Sequence, residues 1–306
     1  MQTSLPAVPR RDVPAFVSAS AGVAAALPEP LVKRLRALRS GQDGFGYLHL
    51  TGLPFDPCTL PGTPESHPAP AERPLIAMEG WLLAVCTVMG VPTAYRELHA
   101  GCLLQDICPS PKAHPLSAQS SATPLLLHSE MLYHRWRPDF LLLACSRADH
   151  EGAAGTTVAA ARAALPLLGA PERALLREHP MPCATDLVFR DPDGSSPRAQ
   201  VLVVDGVRDD PLLSFDQELL EPDEPQARQA LRALAEALDS VTETVRLRPG
   251  DLLILDNSRV VHGRTTFTPH WDGRDRWLHR AYARTLPGRA DAAGPARHQI
   301  KAFAPC

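Results

Sequence analysis

The stretch Leu125-Leu126-Leu127-His128-Ser129-Glu130-Met131 joins an apolar run to two side chains that can bind a metal ion. Leucines that lead up to a histidine in this way are typical of a buried strand that opens onto a cavity. Residues two apart in an extended strand point to the same face, so His128 and Glu130 can hold one ion side by side. A second histidine, His262, follows 134 residues later.

This arrangement is the sequence pattern of the 2-His-1-carboxylate facial triad, in which two ligands are neighbours and one histidine is distant. The triad binds non-heme Fe(II) and leaves coordination positions open for a cosubstrate and O2. We therefore predict that His128, Glu130 and His262 are metal ligands and catalytic residues.

A second His-x-acid triplet, His270-Trp271-Asp272, competes with the first. A chain with 12 histidines and 34 acidic residues among 306 is expected to contain about one such triplet by chance. Pro269 and Gly273 flank the second triplet and favour a loop, and too little chain follows it to supply a distant partner. We interpret this triplet as surface, and His150 as a loop residue.

The sequence around His262 supports its assignment as the distal ligand. Before it, an alternating segment, a turn at Pro249-Gly250-Asp251 and an apolar run that ends at Asp256-Asn257 predict two strands. After it come Arg276 and Arg280, which share a face because they are four residues apart. Arginine binds a carboxylate through two parallel hydrogen bonds. An arginine beyond the distal ligand therefore suits a cosubstrate with a second carboxylate.

Longer blocks of the sequence are far more specific than the triplet. They are Tyr95–Leu98, Pro109–Pro111, His128–Met131, Cys145–Glu151, Met181–Cys183, Phe215–Leu220, Pro249–Asp251 and Asp272–Arg280. These blocks resemble the clavaminate synthase-like branch of the Fe(II)/2-oxoglutarate-dependent oxygenases, which includes clavaminate synthase and the arginine and asparagine β-hydroxylases. The resemblance runs from residue 30 to residue 285, and a glutamate ligand in place of the more usual aspartate is typical of this branch.

That resemblance implies an enzyme that uses Fe(II), 2-oxoglutarate as cosubstrate and O2. His128, Glu130 and His262 would hold the iron, and Arg276, helped by Thr156, would pair with the far carboxylate of 2-oxoglutarate. Succinate and CO2 would form while an unactivated C–H bond of the substrate is oxidised. Halogenating relatives replace the carboxylate ligand with a small residue, so Glu130 favours hydroxylation or a related oxidation.

The resemblance also implies contacts to the substrate. Arg280 and Tyr282 match positions near the substrate carboxylate, and Asp216 matches a carboxylate that faces the distal nitrogen. Glu97 is our candidate for the α-ammonium group. A serine that contacts the amino-acid end in several relatives corresponds to Ala118 here, which argues against an identical substrate pose.

We therefore expect the substrate to be a free basic amino acid or a derivative, oxidised at its β-carbon in the biosynthesis of a specialised metabolite such as an antibiotic. A buried carboxylate and a cationic group offset each other's desolvation. Arginine-specific relatives carry a second acid where this chain has Ser214, so a single acid fits an amine or a less tightly held guanidine.

The alternative within this family is a clavaminate synthase-type oxidase that hydroxylates, cyclises and desaturates a β-lactam precursor. Two other classes of protein stay open. A zinc hydrolase would also use histidines and a carboxylate, but it gives no reason for Arg276. A non-catalytic jelly-roll binding protein would not need all three ligands.

The expected fold is α+β, with a double-stranded β-helix (jelly-roll) core and buttressing helices. The barrel follows from the resemblance, since periodicity gives only mixed α and β. We expect one oxygenase domain over 1–306, with an N-terminal extension at 1–28 and a C-terminal tail at 287–306. Apolar spacing predicts helices over 29–39, 75–89 and 225–241, and 54–74 reads as a proline-rich connection without internal structure.

Composition agrees with an ordinary enzyme. The chain has 306 residues, is 44% hydrophobic and carries a net charge of −3, so it can bury a large core. It has no basic run that suggests nucleic acid and no apolar segment of membrane-spanning length. Seven cysteines without a Cys-x-x-Cys pair favour reduced thiols. We expect a cytoplasmic enzyme whose partner is a small amino-acid-type molecule, with no nucleic-acid or membrane partner.

Overall fold

Two antiparallel sheets form the centre of the fold. The computed structural model describes residues 13–65, 75–96, 98–111, 120–185, 198–285 and 299–300. The larger sheet has the order β1-β12-β5-β14-β2-β15, and β3 also pairs with β14. Its strands are β1 (Tyr47–Leu50), β2 (Val91–Tyr95), β3 (Gln105–Ile107), β5 (Phe140–Arg147), β12 (Leu252–Asp256), β14 (Trp277–Arg284) and β15 (Gln299–Ile300), of which only β15 runs parallel to its neighbour.

The smaller sheet carries the histidines. Its order is β11-β6-β13-β4. The strands are β4 (Leu125–His128), β6 (Thr156–Ala160), β11 (Glu243–Val245) and β13 (Val260–Arg264). Two further antiparallel strand pairs precede the last long helix in the sequence. They are β7 (Met181–Cys183) with β8 (Ala199–Val201), and β9 (Val204–Val207) with β10 (Asp210–Leu213).

Strand β5 shows how the two faces of the larger sheet are used. Side chains alternate across a strand, so odd and even positions face opposite ways. Leu141 and Leu143 pack with residues of the smaller sheet, such as Leu127 and Val158, in a core between the sheets. Leu142 packs on the other face with the helices that cover it. All eight residues of β5 except the last are buried, because each face has its own apolar partner.

Helices cover both outer sides of this core. Helices α1 (Val13–Ala25), α2 (Glu29–Arg39) and α3 (Ala77–Met89) pack on the outer face of the larger sheet. Helices α4 (Ala161–Ala164), α5 (Ala170–Glu178) and α6 (Pro225–Ser240) contribute their apolar sides to the core that lies between the sheets. The architecture is therefore α+β, as expected, and the helices predicted over 29–39, 75–89 and 225–241 are confirmed to within two residues at each end.

In the first third of the chain, one helix was not predicted and one expectation needs correction. The predicted N-terminal extension at 1–28 contains α1, whose end packs against the same apolar cluster as α3. The connection predicted to lack internal structure contains a 3-10 turn at Pro57–Thr59, because Asp56 accepts a hydrogen bond from the backbone N–H of Cys58 at 2.9 Å. A side-chain acceptor just before a turn stabilises it locally, which proline content does not reveal.

The helices and the cysteines can be compared with the expectations from composition. None of the described helices is long and apolar enough to cross a membrane. The six cysteines in the described ranges are free, and four of them are buried, in agreement with reduced thiols; Cys58 is exposed.

Gly263 offers a test of the close approach between β4, β6 and β13. A Cβ atom at this position would lie 2.4 Å from the carbonyl oxygen of Leu125 and 2.8 Å from Oγ1 of Thr157. We expect Gly263→Ala to lower the free energy of unfolding by about 2 kcal/mol, because backbone cannot yield as a side chain can. The measurement is the urea midpoint followed by circular dichroism.

Gly22→Ala is the matched control. Gly22 is exposed within α1, and a Cβ atom there meets nothing within 4 Å. Alanine is the better helix former, so this variant should be unchanged or slightly more stable. Equal midpoints for the Gly263→Ala protein and the wild type would show that the three strands are not packed as described.

Candidate active site

His128 and His262 face each other across two paired strands. His128 ends β4, His262 is the middle residue of β13, and the antiparallel register pairs one directly with the other. Their ring centroids are 4.3 Å apart. The Nδ1 atom of His128 lies 2.9 Å from the carbonyl oxygen of Leu126, which fixes the ring and directs Nε2 towards the cavity. Residues 134 positions apart thus become neighbours through strand pairing.

Glu130 is held just beyond β4 by its backbone. Its N–H donates to Oδ1 of Asn257 at 2.7 Å, and Nδ2 of Asn257 donates to the carbonyl oxygens of Glu130 and Pro138, both at 2.9 Å. Met131 then adopts a φ of 53°, which turns the chain away. The sequence shows a strand that breaks at Asn257, but it does not show that this amide fixes the carboxylate residue.

The three side chains surround one small volume. Oε2 of Glu130 lies 3.9 Å from Nε2 of His128 and 3.6 Å from Nε2 of His262. One possible ligand atom from each of the three residues lies within 4.8 Å of the others. Oε2 of Glu130 is buried and has no hydrogen-bond partner. Two imidazoles and a carboxylate oxygen that lacks a partner fit a divalent metal ion such as Fe(II).

The other carboxylate oxygen of Glu130 is anchored by two groups of β14. The Tyr282 hydroxyl donates to Oε1 at 2.6 Å, and Nη1 of Arg280 donates at 3.4 Å. Burial by itself would raise the pKa of Glu130, but Arg280, the two histidines and the Tyr282 hydroxyl outweigh it and lower the pKa to about 2. Burial, and next the neighbouring His128, lower the pKa of His262 to about 3. The carboxylate is therefore ionised and His262 is neutral, the protonation states that metal ligands need.

Arg280 also forms a cross-strand pair with Gln105, a residue that sequence reasoning missed. Nε of Arg280 donates to Oε1 of Gln105 at 2.8 Å, while Nε2 of Gln105 is buried without a hydrogen-bond partner. A buried amide group with unused N–H donors is suited to bind a polar ligand. No pattern around Gln105 marks it, since β3 is only three residues long and buried throughout.

A buried polar cluster lies on the opposite face of the sheet from the Arg280–Gln105 pair. His279 pairs in register with Asp106, as Arg280 does with Gln105, but on the opposite face of the sheet. Nδ1 of His279 lies 3.2 Å from Asp106 and 3.6 Å from Glu79, and its Nε2 lies 2.8 Å from the hydroxyl of Ser146. Trp277 is fully buried, and its indole N–H donates to Asp106 at 2.8 Å.

Thr156 and Arg276, the residues predicted to bind 2-oxoglutarate, are linked through Arg264. Arg264 is the cross-strand neighbour of Thr156, and Arg264 and Arg276 each lie 5.6 Å from the ring centroid of Phe267. All three polar residues are buried, and burial lowers the pKa of Arg276. Within the described ranges, no carboxylate lies at ion-pair distance from Arg276. Sequence reasoning missed Arg264 although it follows His262 by two residues and therefore shares its face.

Asp216 lies beside the histidine pair. A single antiparallel bridge joins its backbone to His128. It is half-buried, and its Oδ1 accepts hydrogen bonds from the N–H groups of Glu218 at 2.8 Å and Leu219 at 3.2 Å. Burial and the nearby Asp216 raise the pKa of Glu218, so this rim of the site is acidic. The hydroxyl of Ser214 is turned to Arg137, which donates to it at 2.6 Å.

Two predicted positions cannot be placed. Glu97, the candidate for the α-ammonium group, and Ala118 lie outside the described residues. Of the remaining predicted residues, Arg280 and Tyr282 contact Glu130, which lies beside His128 and His262, and a backbone bridge joins Asp216 to His128. Thr156 is the cross-strand neighbour of Arg264, and Arg264 and Arg276 both lie near the ring of Phe267. The hydroxyl of Tyr282, a residue expected near the substrate carboxylate, donates to Glu130.

The competing triplet forms a surface contact between two loops. His270 pairs with Glu151 at 2.7 Å, and His150 pairs with Asp272 at 3.1 Å. The two imidazole rings stack at 3.9 Å. His270 and Asp272 thus contact different partners, and the side chain of His270 is 42% exposed.

Comparison with known proteins agrees with this site. The chain matches the taurine catabolism dioxygenase TauD, TfdA family over residues 76–282. It is 45% identical to clavaminate synthase 2 of Streptomyces clavuligerus over 286 residues, which cover 93% of this chain and 88% of that enzyme. It is 34% identical to L-lysine 3-hydroxylase of Catenulispora acidiphila over 267 residues, which cover 85% of this chain and 73% of that enzyme.

A solved structure shows the same likeness in three dimensions. Asparagine oxygenase in complex with Fe(II), 2S,3S-3-hydroxyasparagine and succinate superposes with a TM-score of 0.88 at 34% identity, over 98% of this chain and 93% of that one. The site and the fold define a mononuclear iron oxygenase.

The protein belongs to the TauD/TfdA family and is an Fe(II)/2-oxoglutarate-dependent oxygenase of the amino-acid hydroxylase group. The predicted enzyme class and its use of iron and 2-oxoglutarate are confirmed, and the zinc hydrolase and non-catalytic alternatives are excluded.

Proposed function

We propose that the protein hydroxylates a free basic amino acid or a derivative at its β-carbon, with His128, Glu130 and His262 as the ligands of one Fe(II) ion. The observation that carries the metal assignment is Oε2 of Glu130, which is buried between the two Nε2 atoms without a hydrogen-bond partner. A buried carboxylate oxygen in this state costs free energy that a bound cation recovers.

Arg276 and Thr156 hold the far carboxylate of 2-oxoglutarate in this proposal. Arg276 is 6% exposed and lacks a carboxylate at ion-pair distance among the described residues, so an incoming carboxylate would neutralise it. Bound iron and 2-oxoglutarate supply the activation of O2, with release of succinate and CO2. The chain's own part is to hold the cosubstrate and the substrate in one orientation, because orientation decides which C–H bond reacts.

We also propose that the two sheets form a double-stranded β-helix, or jelly roll, and that 1–306 act as one oxygenase domain. The antiparallel pairing within both sheets and the shared core between them support this architecture. Closing a core between two sheets leaves the cavity at their open end, where His128 ends its strand. A site at such a mouth is accessible to a small molecule.

Arg280 and Gln105 bind the amino-acid end of the substrate. Their mutual hydrogen bond sets the guanidinium next to Glu130, and Nε2 of Gln105 adds a donor without a partner. A guanidinium held in one orientation is suited to an α-carboxylate. Such a clamp would bring the α- and β-carbons of the substrate towards the metal and leave the rest of the side chain to point elsewhere.

The acidic rim at Asp216 favours a positively charged substrate side chain. Asp216 and Glu218 lie on one turn next to His128, and no basic side chain within the described ranges forms an ion pair with Glu218. One similar enzyme is named a lysine 3-hydroxylase, and a similar structure contains 3-hydroxyasparagine. Position 3 of an amino acid is its β-carbon, which supports oxidation at that atom.

A clavaminate synthase-type activity is the second candidate. The observation that favours it is 45% identity to clavaminate synthase 2 over 93% of this chain. Both candidates include a hydroxylation, which adds one oxygen, but only the second also includes desaturation or ring closure, each of which removes two hydrogens. Mass spectrometry of reactions with free basic amino acids and with cyclic β-lactam precursors distinguishes them.

Tyr282→Phe tests the metal assignment. The change removes the hydroxyl that donates to Oε1 of Glu130 and helps to lower the pKa of that carboxyl. We expect the affinity of the apoprotein for Fe(II), measured by anaerobic titration, to fall about tenfold or more, as is usual when a group that orients a ligand is lost. Tyr95→Phe is the matched control, because the Tyr95 hydroxyl donates to the carbonyl oxygen of Trp136. Equal affinities for the two variants would contradict the assignment.

Asp216→Asn tests the charge of the substrate. Asparagine keeps an oxygen that can accept from the N–H groups of Glu218 and Leu219, so the turn should survive and only the charge is lost. For a substrate with a cationic side chain, KM should rise about tenfold or more, which corresponds to about 1.4 kcal/mol. The assay is succinate formation with lysine, ornithine, arginine and their neutral analogues.

Asp223→Asn is the control for that experiment, since Asp223 is an exposed acid that precedes α6. A basic substrate whose KM is the same for the Asp216→Asn variant and the wild type would refute the proposed contact. Turnover restricted to neutral amino acids would refute the substrate class.

A further inference from the structure

Arg264 lies close to the proposed cosubstrate residues, yet the proposed function gives it no role. It follows His262 by two residues on β13, so both side chains point to the same face of the strand. Its cross-strand neighbour is Thr156 on β6. Residues paired across strands also share a face, so Thr156 and Arg264 project together into the cavity.

Backbone carbonyl oxygens help to hold the guanidinium of Arg264 in place. Nη2 donates to the carbonyl oxygen of Thr123 at 2.7 Å, and Nε donates to that of Thr265 at 3.1 Å. Carbonyl oxygens orient a guanidinium but bring no negative charge. Arg264 is 5% exposed, and a guanidinium stays protonated at neutral pH.

A second buried guanidinium lies on the same ring. The central carbon of Arg276, like that of Arg264, is 5.6 Å from the centroid of Phe267. Two like charges brought this close inside a protein repel each other and are each desolvated. An anion bound between or beside them would relieve both costs.

Asp149, the acidic residue that acts on Arg276, does not form an ion pair with it in the part of the chain that the structure describes. Asp149 influences Arg276 electrostatically, but its two oxygens accept from the N–H groups of Ala153 at 2.7 Å and Ala154 at 3.0 Å. Burial raises the pKa of the Cys145 thiol to about 12, so this neighbour is neutral. The region around Phe267 therefore contains two buried guanidiniums, of which that of Arg264 lies beside Thr156.

We propose that Arg264 is a second binding determinant for the far carboxylate of 2-oxoglutarate, and that with Arg276 it makes the site select 2-oxo acids with two carboxylates over those with one. This inference rests on the proposed role of Arg276. It assigns the selectivity for a doubly charged cosubstrate to a pair of guanidiniums near one phenyl ring, where one arginine would provide only half of the charge.

Anaerobic titration of the Fe(II)-loaded protein tests this inference, with the visible metal-to-ligand charge-transfer band as the readout of binding. The two ligands are 2-oxoglutarate and 2-oxopentanoate, which has the same chain length but no far carboxylate. For Arg264→Gln, Kd for 2-oxoglutarate should rise about tenfold or more, as expected for a lost charge-assisted contact. Kd for 2-oxopentanoate should stay within about twofold of the wild-type value, because the lost contact is at the far end only.

Two further variants keep the result interpretable. Arg284→Gln removes another buried arginine, whose guanidinium lies over Trp136 at 4.9 Å, and should leave both values of Kd unchanged. Arg264→Lys keeps the charge and should retain most of the preference for 2-oxoglutarate; it also serves if the glutamine variant does not fold.

The inference is overturned if Arg264→Gln changes neither Kd, if it raises both Kd values equally, or if Arg264→Lys loses the preference completely. Each of these results would show that Arg264 only supports the backbone at Thr123 and Thr265. A wild-type protein that gives no band at all would instead contradict the proposed iron site, so failure of the two proposals can be told apart.

Discussion

The buried carboxylate of Glu130 is the constraint on which the rest of the structure depends. A charge in an apolar interior is tolerated only where hydrogen bonds and opposite charges compensate it. Here the compensation comes from different elements: the backbone is fixed by Asn257 after β12, and Oε1 by Tyr282 on β14. The carboxylate therefore ties both sheets together, and it leaves Oε2 directed at the histidines.

Strand β14 shows how one element serves the core and the site together. Its inward face presents Arg280 and Tyr282 to Glu130, and its outward face presents His279 to Asp106 and helix α3. The cross-strand pairs Arg280–Gln105 and His279–Asp106 therefore lie on opposite faces of the sheet. The first faces the cavity, and the second lies in the buried layer. Because the outer cluster is enclosed, the strand has little freedom to shift, and the side chains of the cavity keep their relative positions.

Charge is distributed unevenly along the cavity. The end around Phe267 holds the guanidiniums of Arg264 and Arg276, whereas the rim beside His128 holds Asp216 and Glu218. Oppositely charged ends orient a ligand before any close contact forms, since each end repels the wrong group. A cavity of this kind suits two different small molecules, one acidic and one basic, on either side of a single metal position.

Much of this arrangement follows from the sequence. The strand that ends at His128, the amphipathic helix over Pro225–Ser240 and the two-residue spacing of His128 and Glu130 are local patterns, and local sterics and periodicity suffice to predict them. Helix α1 escaped prediction because it is apolar without a clear period. The longer blocks identified the family, and with it the class of reaction and the cofactors.

Only the tertiary structure decided which distant residues meet. Strands β11 and β12 are separated by one short turn, yet they belong to different sheets, so adjacency in the chain did not predict pairing. Gln105 and Asn257 contact the site through strand register and a side-chain amide, neither of which leaves a spacing pattern. Local sequence determines which way a side chain points along its own strand. Which partner it finds there depends on how the sheets pack, because that packing sets the free energy of burying each charge.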